Sequence, residues 1–439
     1  MTTNATNEGC VVHTDTPDYK KTTASQQCDR IDSIIRRLDN GSLTLDTVKR
    51  MGVIVKEHTK DGITRLICNY NTELSVKERM HPDVNVFRSL VLYQFPDGKY
   101  VIGAMAFNAF FNYGRNPQDD RFLEWSFTPD GQKEFKVIAK DKIDGMMIMI
   151  SCNPSNGNME VYSRGTAGDT VFPIPVKIPY LKGNTLRDVV LALLPKNASK
   201  IINDNKHLSF VFELTTTIRQ ILTSGYTDGL FLLDVFDKST KKHISFDAVN
   251  KIADDIGIPC PDSREIKSID DAKEILKHKP RDTEGHVYTV YNRITGIPVC
   301  EVKGKTQFYF DMKEFASKNG GNLPSDMCMV IPHVLRGTIE EYIASSPFIT
   351  THYGDEIRKI VIKIISLIDN VKGIYRDIDT DDPKAFSTAV KDSKHPMSHM
   401  FYDVKKKHSG DWDKFFSVLV SNSKNHKKTF ASIIKALDM

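Results

Sequence analysis

The sequence lacks the long apolar segments and paired cysteines of membrane proteins and secreted disulfide scaffolds. Its apolar runs, such as residues 146–150 and 189–194, are far shorter than the roughly 20 residues that span a bilayer. The N-terminus is polar and has no signal-peptide segment, so we predict a cytoplasmic protein, in the host cytoplasm if the source is viral. The seven cysteines form no CxxC pair, which indicates reduced thiols without a zinc site. No repeat of solenoid or propeller length is visible.

The common nucleotide and metal motifs are also missing. There is no GxGxxG pattern, and the GKT at residues 304–306 is not a P-loop, because Val299 stands where that motif requires glycine. Residues 307–310 moreover favour a strand over the helix that follows a P-loop. His395 and His399 lack the intervening glutamate of a metalloprotease, which favours surface histidines.

The composition that remains is typical of a globular protein with two domains. The chain has 439 residues, of which 40% are hydrophobic and 26% charged, with a net charge of only +4. Positive charge is concentrated at the C-terminal end, where residues 384–439 contain 11 lysines and 5 aspartates. A basic segment of this kind is consistent with a polyanionic partner or with a solvated helical face.

Sequence patterns predict a tail, a mixed body and a helical end. Residues 1–28 are polar and aperiodic, and Asp29 is the expected cap of a short helix that ends at Asn40 and Gly41. Short β-branched and aromatic runs then alternate with turn residues; they lie at residues 65–69, 89–95, 146–151, 207–213, 230–236, 287–292 and 307–310. Beyond Asp311, apolar residues at helical spacing, clearest at residues 357–368, predict helices.

One lysine occupies a position suited to covalent chemistry. Lys142 begins the tetrapeptide KIDG, which leads directly into the apolar run at residues 146–150. A lysine can attack phosphorus only as a neutral amine, and its ordinary pKa of about 10.4 keeps it protonated at neutral pH. We therefore expect neighbouring cations and burial to lower its pKa.

Four further elements follow KIDG in order. They are SRGT at residues 163–166, FVFE at residues 210–213, EGHV at residues 284–287 and VKGK at residues 302–305. This ordered set resembles the covalent nucleotidyltransferases, that is, polynucleotide ligases and mRNA capping enzymes. Upstream, FNAFFN at residues 107–112, together with Arg88, narrows the resemblance to the RNA ligase 1 family of T-even bacteriophages and its fungal tRNA-ligase relatives. The resemblance covers residues 65–310.

The resemblance implies an α+β fold and an activity. The fold would be a nucleotidyltransferase (ATP-grasp-like ligase) domain with mixed or antiparallel sheets, at residues 29–312, followed by an all-helical domain at residues 313–439 that selects RNA. The activity would be ATP-dependent joining of RNA 5′-phosphate and 3′-hydroxyl ends through lysyl-AMP, in repair of RNA such as a tRNA with a broken anticodon loop. The protein would act as a monomer with Mg²⁺ or Mn²⁺.

The resemblance also assigns roles to individual residues. Lys142 would be the nucleophile, assisted by Asp144 and Gly145, and Phe111 would stack on adenine. Glu213 and Glu284 would hold the metal, a role that suits hard carboxylate oxygens. The cationic residues expected to contact the nucleotide are Arg88, Arg164, Lys303 and Lys305, and Tyr309 would lie on the same strand as the two lysines.

One departure from the family leaves alternatives open. Ala109 stands where the family has a lysine, which removes a cation expected near the terminal phosphates of ATP; Arg88 or Arg115 could supply it instead. The alternatives are a GTP-dependent capping guanylyltransferase and a catalytically idle RNA-binding protein. The absence of a strand pattern typical of an OB domain after Lys305 disfavours capping enzymes and DNA ligases.

Overall fold

The chain divides into two compact units, Met1–Tyr309 and Phe310–Met439. The computed structural model describes residues 17–18, 20, 22–171, 185–215, 228–277, 284–319, 324–395, 397–421 and 433–434. Residues 1–16 of the expected tail, and residues 422–432 of the basic C-terminal segment, lie outside these ranges. Within them, no helix has both the length and the apolarity needed to cross a membrane.

The described strands of the first unit form three sheets in which every neighbouring pair is antiparallel. The strands are β1 (Val53–Lys60), β2 (Ile63–Tyr70), β3 (Leu90–Gln94), β4 (Tyr100–Ala104), β5 (Phe135–Asp141), β6 (Met146–Cys152), β7 (Met159–Ser163), β8 (Leu208–Thr215), β9 (Gly229–Asp237), β10 (Lys242–His243), β11 (Ser263–Ile266), β12 (Gly285–Asn292) and β13 (Pro298–Lys305). The strand order is β1-β2-β3-β4 in the first sheet, β10-β9-β8-β6-β7 in the second, and β11-β5-β12-β13 in the third. The predicted α+β class with antiparallel sheets is confirmed.

Helices flank the sheets of the first unit and make up the second. They are α1 (Gln27–Asp39), α2 (Leu45–Arg50), α3 (Val76–Met80), α4 (Pro82–Asn85), α5 (Pro117–Ser126), α6 (Gly131–Glu134), α7 (Leu186–Leu193), α8 (Ala198–Asp204), α9 (Phe246–Ile256), α10 (Ile269–Lys277), α11 (Gln307–Lys318), α12 (Met327–Arg336), α13 (Ile339–Ala344), α14 (Pro347–Ile378), α15 (Pro383–Asp392), α16 (Ser398–His408) and α17 (Trp412–Ser421). The described part of the C-terminal unit is helical, as the sequence predicts.

The second sheet packs on both faces, and this fixes where the polar residues of its strands lie. Along β8, Phe210 and Phe212 belong to a core shared with α7, α8 and α9, whereas Val211 belongs to the core beneath the first sheet. Side chains alternate between the two faces of a strand. Glu213 therefore lies on the face turned towards the first sheet, and a carboxylate is buried there.

Two local predictions are wrong. Residues 307–310 form the start of α11 instead of a strand; Phe308 and Met312, four positions apart, are both buried, and this helical face outweighs the β propensity of a short aromatic run. Tyr309 thus lies on a helix. Asp29 is not the cap of α1, because the N-cap is Gln26 and Asp29 lies in the first turn, where its charge favours the positive end of the helix.

The apolar stripe predicted at residues 357–368 lies on the long helix α14. Ile357 and Ile364 are fully buried, and Ile368 is nearly so, whereas Ile365 is 46% exposed. Near the end of α14, the ring of Tyr375 meets Trp412 edge-on with centroids 5.6 Å apart. The second unit therefore has an apolar core of its own.

Candidate active site

A cavity of about 800 Å³ lies in the first unit and is lined by residues of all three sheets. Most of the residues predicted from the sequence meet there although they are far apart in the chain. The predicted residues in its lining are Arg88, Lys142, Asp144, Gly145, Arg164, Glu213, Glu284, Lys303 and Lys305. The structure thus brings one lysine-rich and carboxylate-rich set of side chains to a single cavity.

Lys142 lies in the short connection between β5 and β6, and the start of β12 fixes its main chain. Its N–H donates to the carbonyl oxygen of Gly285 at 2.8 Å. Its ammonium Nζ donates to Oε2 of Glu284 at 2.6 Å, and the Glu284 side chain is only 4% exposed. KIDG and EGHV, which are 142 residues apart, therefore meet through both main-chain and side-chain contacts.

The expected lowering of the Lys142 pKa is not found. Burial acts to lower the pKa of Lys142, but the charges of Glu284 and Glu213 and the hydrogen bond to Glu284 outweigh it, so the pKa is raised. The sequence-based expectation considered the downstream lysines and overlooked the carboxylate that binds the amine directly. In the nucleotide-free protein Lys142 is therefore a charged ammonium group.

Lys303 carries the depressed pKa that was expected at Lys142. Burial, followed by the nearby charges of Arg88, Lys142 and Lys305, holds the pKa of Lys303 well below its ordinary value. Its Nζ donates to the carbonyl oxygen of Phe110 at 2.9 Å and lies 4.3 Å from the centroid of the Phe110 ring. No carboxylate is within ion-pair distance of Lys303 in the described part of the chain. A phosphate bound beside it would therefore stabilise its ammonium form.

Lys305 lies two residues after Lys303 on β13. It binds Glu284, the same carboxylate that binds Lys142. Its Nζ contacts Oε1 of Glu284 and lies 4.3 Å from the centroid of the Tyr309 ring. The two lysines lower the pKa of Glu284 although burial opposes them. One carboxylate therefore holds two ammonium groups, each of which can donate charge-assisted hydrogen bonds to a phosphate.

Glu213 differs from Glu284 because no lysine among the described residues forms an ion pair with it. Burial raises its pKa to about 7; the charge of Lys142 acts against this rise, while those of Glu284 and Asp144 add to it. Carboxylates crowded in this way fit a hard divalent cation, which would relieve their mutual repulsion. The described residues contain no ready-made set of three or more ligands, and Mg²⁺ often binds through one or two carboxylates together with substrate phosphates.

Two glycines of the motifs are required by close backbone approach. A Cβ at Gly145 would overlap the carbonyl oxygen of Leu214 on β8, and a Cβ at Gly285 would overlap that of Gly304 on β13. Gly285 also has a φ of +144°, which side-chain-bearing residues rarely adopt. These glycines let the strands approach closely enough to bring Lys142, Glu213 and Glu284 together.

The aromatic residues that line the cavity are Phe107 and Phe110, and not Phe111, the residue expected there. Phe110 lines the cavity, whereas Phe111 is buried in the core beneath the first sheet and is absent from the lining. Phe111 takes part through its main chain, since its carbonyl oxygen accepts from the N–H of Lys303 at 2.9 Å. The guanidinium carbon of Arg88 lies 5.9 Å from the centroid of the Phe110 ring.

Ala109, the departure from the family, is 2% exposed and does not line the cavity. Its N–H donates to Oδ1 of Asn85, and its carbonyl oxygen accepts from Nδ2, both at 3.0 Å. Arg115 is also absent from the lining, while Arg88 is present. Arg88 is thus the better placed of the two arginines considered as substitutes.

Four charged residues of the lining were missed by the sequence analysis: Lys56, Lys140, Asp141 and Glu301. Two of them follow from strand register, because Val287 of β12 pairs with Lys140 on one side and Lys303 on the other. Alternation along β5 and β13 would have identified Lys140 and Glu301, two positions before Lys142 and Lys303 respectively. Nothing in the sequence marks Lys56.

The family model for RNA ligase matches residues 86–315, just over half of the chain. No curated protein matches the sequence.

Among solved structures, an archaeal ATP-dependent RNA ligase is similar, with a TM-score of 0.42 and 16% identity, over 82% of this chain and 88% of that one. A Naegleria gruberi RNA ligase mutant with ATP and Mn has a TM-score of 0.32 and 12% identity, over 51% of this chain and 62% of that one. With TM-scores below 0.5, these likenesses add nothing to the family match. The chain belongs to the RNA ligase family and is an RNA ligase enzyme.

Proposed function

We propose that this RNA ligase uses ATP and forms a covalent lysyl-AMP intermediate at Lys142. The observation that carries the proposal is that Lys142, Lys303 and Lys305 line one cavity, in which Glu284 binds the amines of Lys142 and Lys305. An enzyme of this kind needs a nucleophile, cations for the triphosphate and a space for the nucleoside. The cavity contains residues suited to each requirement.

In the first step the amine of Lys142 attacks the α-phosphorus of ATP, and the bond to pyrophosphate breaks. Lys142 must first lose a proton, and Oε2 of Glu284, 2.6 Å from Nζ, is the acceptor that the geometry offers. Lys303 and Lys305 stabilise the charge on the α-phosphate oxygens. Asp144 adds negative charge near Lys142, and Gly145 permits the close approach of β8.

Two further steps complete the joining reaction. The 5′-phosphate of RNA attacks lysyl-AMP and releases the lysine, which gives RNA with AMP on its 5′ end. A 3′-hydroxyl then attacks that phosphate and releases AMP. Arg164 is exposed at the turn after β7, on the cavity lining, where it can contact the nucleotide or the incoming RNA phosphate.

We assign Glu213 and Glu284 as the residues that would hold Mg²⁺ or Mn²⁺, together with phosphate oxygens of ATP. The metal would supply neutralisation of triphosphate charge. Glu213 is the stronger candidate, because no ammonium group occupies its oxygens in an ion pair among the described residues. Glu284 would have to release one of its lysines to bind metal.

The proposed biological role is RNA repair, including sealing of a tRNA broken in its anticodon loop. It rests on the resemblance of the motifs to the RNA ligase 1 family. We further propose that residues 29–312 catalyse adenylylation and that residues 313–439 help select the RNA. The basic composition beyond Pro383 supports this division, because phosphate contacts provide affinity that depends on salt.

Incubation with α-labelled ATP or GTP, followed by addition of 5′-phosphorylated RNA, tests the activity. We expect a labelled protein with ATP in the presence of Mg²⁺, then labelled AMP on the RNA and a ligated product. Labelling with GTP alone would instead support the capping alternative. No labelling by either nucleotide, with RNA binding intact, would support the idle RNA-binding protein.

A nicked tRNA compared with two simple single strands tests the repair role. A truncation that ends at Lys318 should retain self-adenylylation and lose more activity on the nicked tRNA than on single strands. Equal loss on both substrates, in a truncation that is folded by circular dichroism, would argue against RNA selection by the second unit.

A further inference from the structure

A second cavity of about 680 Å³ lies in the first unit and is rich in basic side chains. Its lining combines the ends of β6 and β9, the beginning of β4, one face of α1 and the residues just before β8. The polar residues in its lining that matter here are Asp32, Asn153, Asn156, Lys206, His207, Lys238, Ser239 and Lys241. Three lysines thus face one aspartate.

This cavity is distinct from the candidate active site. Strand β8 begins immediately after His207, which lines the second cavity, and reaches the first cavity at Glu213. Six residues of extended strand span about 20 Å. The two cavities share none of their lining residues, so none of the roles assigned to the first cavity accounts for the lysines of the second.

Lys238 is partly buried in this cavity and is held by uncharged groups. Its Nζ donates to Oγ of Ser151 at 2.8 Å, and to the carbonyl oxygens of Cys152 and Gly103 at 3.1 and 3.3 Å. Burial lowers the pKa of Lys238 to about 8. No ion pair links it to a carboxylate in the portion of the chain that the structure describes. Even a partly buried ammonium group with only neutral partners has a desolvation cost, which an approaching anion would offset.

The other two lysines differ in how they are held. Lys241 donates to Asp32 at 2.9 Å, with side chains 21% and 44% exposed respectively. Lys206 is exposed, and its Nζ lies over Gly157 at the tip of the turn between β6 and β7. His207 is exposed beside it. Even with Asp32 counted, the lining carries a positive excess that extends from the partly buried Lys238 to the surface.

We infer that this second cavity binds backbone phosphates of the RNA substrate at a distance from the joining site. The inference rests on the proposed function as an RNA-sealing enzyme. The cavity is several times larger than one phosphate group needs, and its lysines are spread from its interior to its rim, as an extended polyanion requires. A free phosphate or pyrophosphate ion has the same chemistry, and the test below separates the two sources.

The test measures binding of fluorescent single-stranded RNA over a series of KCl concentrations. The test variant is Lys206→Gln with Lys241→Gln, which keeps the partly buried Lys238. The matched control is Lys200→Gln with Lys242→Gln; both of these lysines are exposed in the same unit and absent from either cavity lining. Both variants lose two positive charges, so a general effect of net charge is the same in each.

We expect the test variant to bind RNA more weakly and its salt dependence to become shallower by about 1 for each lysine that contacts a phosphate. The control should keep the slope of the wild-type protein. RNA carrying 4-thiouridine should crosslink, on irradiation, to the segment at residues 153–157 or 206–207. This second readout does not depend on how well any variant folds.

Equal slopes in the test and control variants, with no crosslink to either segment, would overturn the inference. A second outcome would also overturn it. If the wild-type protein bound inorganic phosphate or pyrophosphate by calorimetry, and the test variant lost this binding while the salt dependence of its RNA binding stayed unchanged, the site would serve a free anion. Self-adenylylation, measured without RNA, reports on the proposed function separately. If the wild-type protein formed no adduct, the proposed function would be contradicted. The RNA-binding measurement would still show whether the second cavity binds RNA.

Discussion

Glu284 holds Lys142 and Lys305 on its two carboxylate oxygens, with Oε2 at 2.6 Å from Nζ of Lys142. This arrangement joins the start of β12 to the KIDG connection and to the end of β13. It explains why the lysine proposed as the nucleophile has a raised pKa in the nucleotide-free protein. It also makes Glu284 the residue on which the geometry of the reacting groups depends.

The first prediction concerns this carboxylate. Glu284→Gln keeps the shape of the side chain and removes its charge, so Lys142 and Lys305 lose their shared counterion and Lys142 its proton acceptor. We expect the rate of self-adenylylation with labelled ATP to fall at least about tenfold, the equivalent of about 1.4 kcal/mol. Glu274→Gln, on the exposed face of α10, is the control. A rate within twofold of the wild-type rate would assign Glu284 a purely structural role.

The second prediction concerns the close approach of β8 to the KIDG segment. Gly145→Ala forces a Cβ against the backbone of Leu214, which cannot move without disturbing the second sheet. We expect a lower unfolding temperature and loss of the adduct. Gly165→Ala is the control for stability, since its Cβ would meet only the Asn69 side chain at ordinary contact distances of 3.8 and 3.9 Å. Equal unfolding temperatures for the two variants would contradict the packing argument.

The third prediction concerns Ala109, where the related family has lysine. Because Ala109 is 2% exposed and its backbone is held by Asn85, Ala109→Lys must bury a charge or displace the segment. We expect a lower unfolding temperature and no increase in affinity for ATP. Gln132→Lys adds a lysine at an exposed position and should leave both unchanged. Tighter ATP binding by Ala109→Lys would show that this position can reach the nucleotide.

The fourth prediction is a pH dependence of stability at Lys238. Its pKa of about 8 in the folded protein is below that of the unfolded chain, so the unfolded state binds more protons between these values. Stability should therefore rise with pH above about 8, relative to a variant that lacks the group. We expect the difference in unfolding temperature between wild type and Lys238→Met to shift in favour of wild type from about pH 7 to about pH 9.5. Cys152, whose charge acts to raise the pKa of Lys238, is present in both proteins. A constant difference would refute the lowered pKa.

Much of the fold follows from local patterns in the sequence. Alternating apolar residues correctly located β2, β3, β6, β8, β9 and β12, because these strands each bury at least one face. The error at residues 307–310 arose because four aromatic and polar residues satisfy a strand pattern as well as a helical one. Only the packing of Phe308 and Met312 on one helical face decides between the two structures.

The sequence predicts which residues line the candidate site, but it does not predict how their charges shift one another's pKa values. Ordered motifs identified the residues, and nine of the ten predicted positions line one cavity. The pKa of Lys142, in contrast, depends on a contact between residues 142 positions apart. The choice between Phe110 and Phe111 likewise depends on the register of their segment against β13, which the Asn112–Lys303 bridge fixes.

The most direct test of the central claim is to locate the adenylate. Wild-type protein is incubated with ATP and Mg²⁺, and its peptides are analysed by mass spectrometry. The account predicts AMP on the peptide that contains Lys142, joined through the lysine Nζ, and no adduct in Lys142→Arg, which keeps the charge and is too basic to attack. An adduct on another residue, or an adduct of undiminished yield in Lys142→Arg, would contradict the account.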